Sequence, residues 1–471
     1  MSNHESRVRD YPTYLGSDRK SARFLSGPVQ RFMRLELASG VLMIIATVIA
    51  LIWVNSPAKE SYFDLWEMEI SFSFGSFHFA ENLLEFVNGG LMVIFFFVVG
   101  LEIKRELVVG ELRDPKKAAV PAIAALGGMI VPAAIYFAFN SGGAADGWGI
   151  PMATDIAFAV GIVALLGSRV PSSLKLFLLT LAIVDDIGAI VVIAIFYTDQ
   201  LAFDMLAYSA LALLAIVLLK HLKVWNIGPY VILGVIAWYF MLESGIHATI
   251  AGVIIGLLTP ARPLLSRAQA EQIADDVEDD PSPESVRYHA FLLRESVPVV
   301  NRLEVVLHPY TSYLIIPIFA LANAGIVVSG GSLRAAVSSP VTQGVALGLL
   351  VGKPVGVVLF SWIASRMGLK LPANATWPQM FSVGMAAGIG FTVAIFVTGL
   401  AFPGAEALQD SAKLGILAAS AIASVITILL FRATTKPALE PAHVEVADDN
   451  HFDEVLGSGE TAVDAAMPSG V

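Results

Sequence analysis

Two adjacent carboxylates, Asp185 and Asp186, stand in LAIVDDIGAI at residues 181–190, inside an otherwise apolar run. Two more ionisable groups share that setting: Asp155 in GWGIPMATDIAF and Lys353 in GKPVG. An ionised side chain at the centre of a membrane span costs roughly 2.5–3.5 kcal/mol on insertion scales and by default marks a functional site. With about eleven residues on either side of the Asp pair, each rising ~1.5 Å, the carboxylates lie too far from either helix end to reach water. Successive helix residues point about 100° apart, so Asp185 and Asp186 face different partners. A purely structural salt bridge to Lys353 would leave surplus negative charge, because three acids face one base. The chemistry that fits is exchange. A carboxylate removed from water binds a proton more readily, and hard cations such as Na⁺ or Li⁺ take oxygen ligands, so the two compete for one place. Tandem acids make such titrations a property of the group.

Two rivals fit less well. An intramembrane aspartyl protease needs two carboxylates sharing a proton, normally from two helices, and no G-x-G-D stretch occurs on the relevant spans. A channel takes its selectivity from rings of carbonyls or charges, which a single Asp pair opposed by a Lys does not supply. The absence of Cys excludes disulfides, thiolate ligands and Cys nucleophiles. No cofactor and no nucleic-acid partner is expected.

The elements that must position these groups are membrane spans. The chain has 471 residues, 56% hydrophobic and only 15% charged, with a mean hydropathy of +0.73; soluble domains carry about 25% charged residues. Apolar runs at 38–54, 84–101, 118–138, 149–166, 174–196, 202–219, 226–243, 246–258, 310–328, 341–364, 378–401 and 412–431 predict about twelve transmembrane helices in an all-α polytopic membrane protein. All of the 29 Lys and Arg except Lys59, Arg334, Lys413 and the intramembrane Lys353 fall on one side if the N-terminus is cytoplasmic. That bias predicts both termini in the cytoplasm. The first apolar run lacks a cleavage site behind it and is expected to stay as a helix.

Two runs are interrupted. Pro151 removes an amide donor and disfavours helix before it, predicting a break near Ala153 to Asp155. Gly384, Gly388 and Gly390 loosen FSVGMAAGIGFTVAIF. These runs fall in the middle of two three-span units, 118–196 and 341–431, which begin on opposite sides and so predict inverted repeats with two discontinuous crossing helices. Such pairs mark transporter binding sites. Freed carbonyls and the Thr154 hydroxyl would ligate a cation. Asp155 would neutralise the helix N-ends and Lys353 the C-ends.

Outside the spans, EISFSFGSFHF at 69–79 alternates around Gly75-Ser76, predicting a small outer-face β-hairpin. Its free edges suit pairing with a second copy. Residues 1–34 and 433–471 are expected to be a polar N-terminal tail and a disordered acidic C-terminal tail around a 35–432 transmembrane domain. The 260–305 loop carries AEQIADDVEDDPSPES and is expected to be a solvated acidic linker.

Over residues 30 to 432 the chain resembles the bacterial NhaA-type Na⁺/H⁺ antiporters. The resemblance rests on VGLEIKRELVVGEL, PMATDIAFAVGIVALLGSRVP, LAIVDDIGAI, SGIHATIAGVIIGLLTP, RLEVVLHPY, PIFALANAGI, GKPVG and GIGFTVAIF. It implies that Asp185 and Asp186 form the transport site, with Asp186 the Na⁺ ligand and proton carrier and Lys353 paired with Asp185. It also implies that Thr154 and Asp155 lie at an unwound crossing where they help hold the ion, and that Glu102, Arg105, Glu106, Glu304 and His247 belong to the pH response. Val305 departs from the pattern, since family members can carry His after that Glu. The activity implied is electrogenic export of Na⁺ or Li⁺ against inward H⁺ across the inner membrane, in a homodimer joined through the hairpin.

Overall fold

The computed structural model describes residues 38–74, 77–198, 201–222, 224, 227–263, 282–327, 334, 337–373 and 375–435. The expected N-terminal tail, all but the first residues of the C-terminal tail, the hairpin tip Gly75-Ser76 and the acidic stretch 264–281 lie outside the described residues.

Among the described residues, fifteen helices and one hairpin follow in order. They are α1 (Ala38–Val54), α2 (Lys59–Glu67), β1 (Glu69–Phe74), β2 (Phe77–Asn82), α3 (Leu83–Val108), α4 (Pro115–Phe139), α5 (Ile156–Leu165), α6 (Ser172–Phe196), α7 (Phe203–His221) and α8 (Ile227–Glu243). They continue with α9 (Thr249–Leu258), α10 (Pro283–Glu295), α11 (Val299–Asn323), α12 (Pro340–Arg366), α13 (Trp377–Ala387), α14 (Phe391–Ala401) and α15 (Glu406–Thr434). Among the described residues, eight helical segments are long and apolar enough to cross a membrane, or up to ten when each bent pair counts as one. α8 and α9 are shorter apolar helices.

Sequence periodicity places the helices but misplaces some ends. α11 starts eleven residues before its apolar run, because VVNRLEVVLHPY is amphipathic rather than uniformly apolar. α10 lies within the stretch expected to be a solvated linker. α2 is a short polar helix that turns back at 115° from α1, and its Tyr62 hydroxyl lies 2.8 and 2.9 Å from the Leu321 and Ala322 carbonyls of α11, donating its one proton between them. The hairpin is antiparallel, with Phe72 opposite Phe79 and Ile70 opposite Glu81.

Among the described residues, three helices contain a π-helical turn: Val87–Leu91 in α3, Thr311–Ile315 in α11 and Gly348–Gly352 in α12. The last ends at Lys353, so the extra residue in that turn helps set where its ammonium points. α12 packs most closely on α4, where a Cβ on Gly356 would collide with the Gly127 carbonyl. A side chain there would hold the two backbones apart and move Lys353 away from the centre.

α6 sits between two apolar clusters. Leu174, Phe177, Leu178 and Leu181 pack with residues of α4, α12, α13 and α15. Ile183, with Leu179, Ile187 and Ile190, packs against Val99 and Ile103 of α3. Helical spacing of three and four puts Asp185 on the face of Leu178 and Leu181, and Asp186 on the face of Leu179, Ile183 and Ile190.

Candidate functional site

Two helix interruptions meet beside the middle of α6. A 3₁₀ segment, Ala145–Met152, carries Pro151 and ends before Ala153, whose φ and ψ of −73° and 143° are extended. Asp155, at −87° and 99°, is the N-cap of α5. The other interruption separates α13 from α14, which bend by 50°. A Cβ on Gly390 would lie 2.9 Å from the Ala153 carbonyl oxygen and 3.0 Å from Leu349, so the two breaks approach this closely only with glycine there. The Asp155 amide donates to the Ile389 carbonyl at 2.7 Å, joining one break to the other.

Four helix ends therefore converge, and each brings unsatisfied backbone groups and a partial charge. Asp155 serves both N-ends. Its Oδ1 accepts from the Phe158 amide of α5 at 3.0 Å, and its Oδ2 accepts from the Thr392 amide and hydroxyl of α14 at 3.1 and 2.6 Å. The C-ends are met by donors. Lys353 Nζ donates to the Met152 carbonyl at the end of the 3₁₀ segment, and the Thr154 hydroxyl lies 2.9 Å from the Ala387 carbonyl at the end of α13.

Asp185 is tied into the same network. Its Oδ2 lies 2.7 Å from Lys353 Nζ and 2.8 Å from the Thr154 hydroxyl. A hydroxyl carries one proton, so Thr154 donates fully to only one of Asp185 and Ala387 at a time. Asp186 differs. It is 7% exposed, and its Oδ1 is buried with no hydrogen-bond partner among the described residues, as is Oδ1 of Asp185. A buried polar atom left without a partner costs about 1–3 kcal/mol, so native structures retain few. Among the described residues no three His, Cys, Asp or Glu converge on one point as metal ligands. A cation here would take carboxylate oxygen from the Asp pair together with hydroxyl or carbonyl oxygen.

The remaining sequence-predicted residues fall in two other places. Arg105 pairs with Glu304 of α11 and, at 3.5 Å, with Glu106. Glu106 also accepts from the Glu111 amide at 3.1 Å. Glu102, one turn nearer the centre on α3, lies within electrostatic reach of Arg105, Glu304 and Glu106, and Asp186 lies within reach of Glu102. A cavity of about 610 Å³ opens beside Glu106, Glu111, Arg113 and Asp114 and reaches Leu176, near the N-terminal end of α6. His247 lies at the opposite end of α6, its Nε2 2.5 Å from the Tyr197 carbonyl. A carbonyl only accepts, so Nε2 carries the proton in that contact.

Sequence reasoning missed Thr392, which donates twice to the Asp155 carboxylate, through its amide and its hydroxyl. The signal was present in GIGFTVAIF, where a hydroxyl follows two glycines by one apolar residue, as Thr154 stands at the first break. The main-chain carbonyls of Met152 and Ala387 were also missed, because any residue type supplies them.

A bundle of apolar helices enclosing buried carboxylates and a buried lysine is that of a multi-pass membrane protein, and the family it matches is one of transporters, not enzymes. The sequence model of the Na⁺/H⁺ antiporter 1 family matches residues 30–431, and the chain belongs to that family. It is 47% identical over 423 residues to the Na⁺/H⁺ antiporter NhaA of Rhodopirellula baltica, covering 87% of this chain and 95% of the relative. It is 46% identical over 409 residues to the NhaA of Proteus mirabilis, covering 86% and 96%.

Proposed function

We propose that this protein is an electrogenic antiporter that exports Na⁺ or Li⁺ in exchange for inward protons by alternating access at the Asp185–Asp186 pair. The observation that carries the reading is Asp186 Oδ1, buried in a transporter fold without a hydrogen-bond partner among the described residues while its neighbour is held by Lys353 and Thr154. A proton or a hard cation would supply what that oxygen lacks, and the site holds one or the other. Asp186 is then the ion ligand and proton carrier. Asp185 becomes available to the ion only when Lys353 and Thr154 release it. Thr154 adds a hydroxyl oxygen at the crossing, and Asp155 keeps the two N-ends neutral through the cycle.

In this reading the protein has twelve spans, counting α8 and α9, with inverted repeats at 118–196 and 341–431. The breaks at 153–155 and 388–390 are their discontinuous crossing helices, and both termini lie in the cytoplasm of an inner-membrane protein. Glu102, Arg105, Glu106 and Glu304 couple pH to the site, since the Arg105–Glu304 ion pair between α3 and α11 stands one turn from Glu102, a carboxylate that Asp186 senses. His247 acts in that response from the other end of α6. The hairpin at 69–79 joins two copies. Net positive charge moving inward down an inside-negative membrane potential releases about 2.3 kcal/mol per charge per 100 mV, which drives export when more protons than cations cross.

The test is Na⁺-dependent dissipation of a pH gradient in everted vesicles across neutral to alkaline pH. Alkalinisation that rises with pH and collapses the membrane potential supports the proposal. Ion flux without proton counterflow sinks it.

A further inference from the structure

α10 sits where the sequence calls for a solvated linker, and no described element packs extensively against it. Its residues sort into stripes. Val286, Ala290 and Leu293 recur at helical spacing on one face, and all three are exposed, Val286 at 44% and Leu293 at 36%; Tyr288 and Phe291, exposed at 62% and 43%, lie off that face. Arg287 and Arg294, two turns apart, form a second exposed stripe, while His289 and Leu292 form a third, less exposed one. Apolar spacing of this kind is what a helix shows when one side rests on an apolar medium.

The surrounding geometry says which medium. Only Ser296, Val297 and Pro298 separate α10 from α11, the first turn of which carries Arg302. That guanidinium holds the Glu295 carboxylate with two hydrogen bonds, at 2.7 and 3.1 Å. The C-terminal end of α10 is therefore pinned to the mouth of a membrane span. With Glu295 neutralised by Arg302, the remaining charges on α10 are Arg287, Arg294 and Glu284, a positive balance.

We propose that α10 is an interfacial helix that lies on the bilayer surface, with Val286, Ala290 and Leu293 set among the acyl chains. Arg287 and Arg294 extend their stems along the apolar surface and keep their guanidinium groups at the level of the lipid phosphates. A short helix of this kind binds weakly when free; here the Glu295–Arg302 pair holds it at the membrane at no further cost in association.

The chain has no Cys, so single cysteines report one position each. Full-length protein bearing Val286→Cys, Arg287→Cys, Leu293→Cys or Arg294→Cys, labelled with an environment-sensitive fluorophore, is reconstituted in vesicles with and without shallow spin-labelled quencher lipids. Labels at 286 and 293 are expected to shift to the blue and lose intensity with quencher lipid, and labels at 287 and 294 to do neither to the same extent. Emission as in water at all four positions overturns the proposal in favour of a solvated helix. A blue shift without lipid quenching overturns it in favour of contact with protein, including a second copy. As a second arm, Val286→Asp with Leu293→Asp, read from a label at Ala290→Cys, is expected to abolish the quenching; quenching that persists overturns the assignment of the face. These readings do not depend on transport, so they stand or fall apart from the antiport reaction.

Discussion

Lys353 Nζ lies 2.7 Å from Asp185 Oδ2, and neither side chain is exposed at all. The same ammonium donates to the Met152 carbonyl, so one positive charge serves a carboxylate and the negative end of a broken helix together. Removing either partner from such a pair strands a buried charge, at a cost of about 3–5 kcal/mol. Lys353→Ala is expected to destabilise the detergent-purified protein by that order, and Lys353→Ala with Asp185→Asn to recover most of it. Thermal unfolding of the two variants checks this. Equal losses in the single and the double variant would mean the pair contributes nothing as a pair.

Asp186 predicts the opposite pattern. Because Oδ1 has no hydrogen-bond partner among the described residues, replacing the carboxylate with an uncharged amide removes a desolvation cost and breaks no bond. Asp186→Asn is expected to abolish Na⁺-driven proton movement while leaving the melting temperature unchanged or raised. Retained exchange would remove Asp186 from the site. A large loss of stability would make it a structural residue.

The cost of burial is what makes Asp155, Asp185, Asp186 and Lys353 readable in the sequence, since a span tolerates such residues only for a reason. Helix periodicity also separates Asp185 from Asp186, and Pro151 marks where the fourth run leaves the helix. What the sequence does not carry is the network between them. The Met152, Ala387 and Ile389 carbonyls have no residue-type signature, and the π-turn before Lys353 does not alter the apolar pattern. α10 was hidden for a different reason: a thirteen-residue amphipathic helix beside an Asp/Glu run has the composition of a solvated loop.

Asp155 accepts from the first turns of both α5 and α14, so it is a shared N-cap. Losing a cap costs about 0.5–2 kcal/mol, and hydrogen bonds to a charged group contribute about 1.5–3 kcal/mol each. Asp155→Ala is expected to lower stability by several kcal/mol, more than Asp155→Asn, which keeps one acceptor oxygen for either helix. Denaturation of both variants beside wild type provides the measurement. Alanine and asparagine behaving alike would show that the cap does not hold the crossing together.

Gly390 tests the crossing from the backbone side. An added Cβ at 2.9 Å from the Ala153 oxygen meets main chain, which cannot swing aside as a flexible side chain can. Overpacking of this kind costs roughly 1–3 kcal/mol. Gly390→Ala should lower stability by that amount and transport by more, because the displaced segment carries Thr392 and the far side of the Asp155 network. Transport falling only in proportion to the amount of folded protein would limit Gly390 to a packing role.

Glu81 gives the outer face its own pH dependence. It stands on β2 opposite Ile70, and its pKa rises from 4.5 to about 7, first through burial and then through the hydrogen bond and charge of Glu85 and the charge of Glu243. Glu85 itself is held in a capping box with Asn82, at 2.7 and 3.3 Å, so it cannot turn away to relieve the repulsion. Between pH 4.5 and about 7 the folded hairpin binds a proton that the unfolded segment has released. The unfolded state therefore binds fewer protons, and stability falls as pH rises through that window. Amide exchange in β1 and β2 should accelerate from the acid to the alkaline side beyond the intrinsic base-catalysed trend, and Glu81→Gln should remove the excess. An excess that survives in Glu81→Gln would show that Glu81 is not the titrating group.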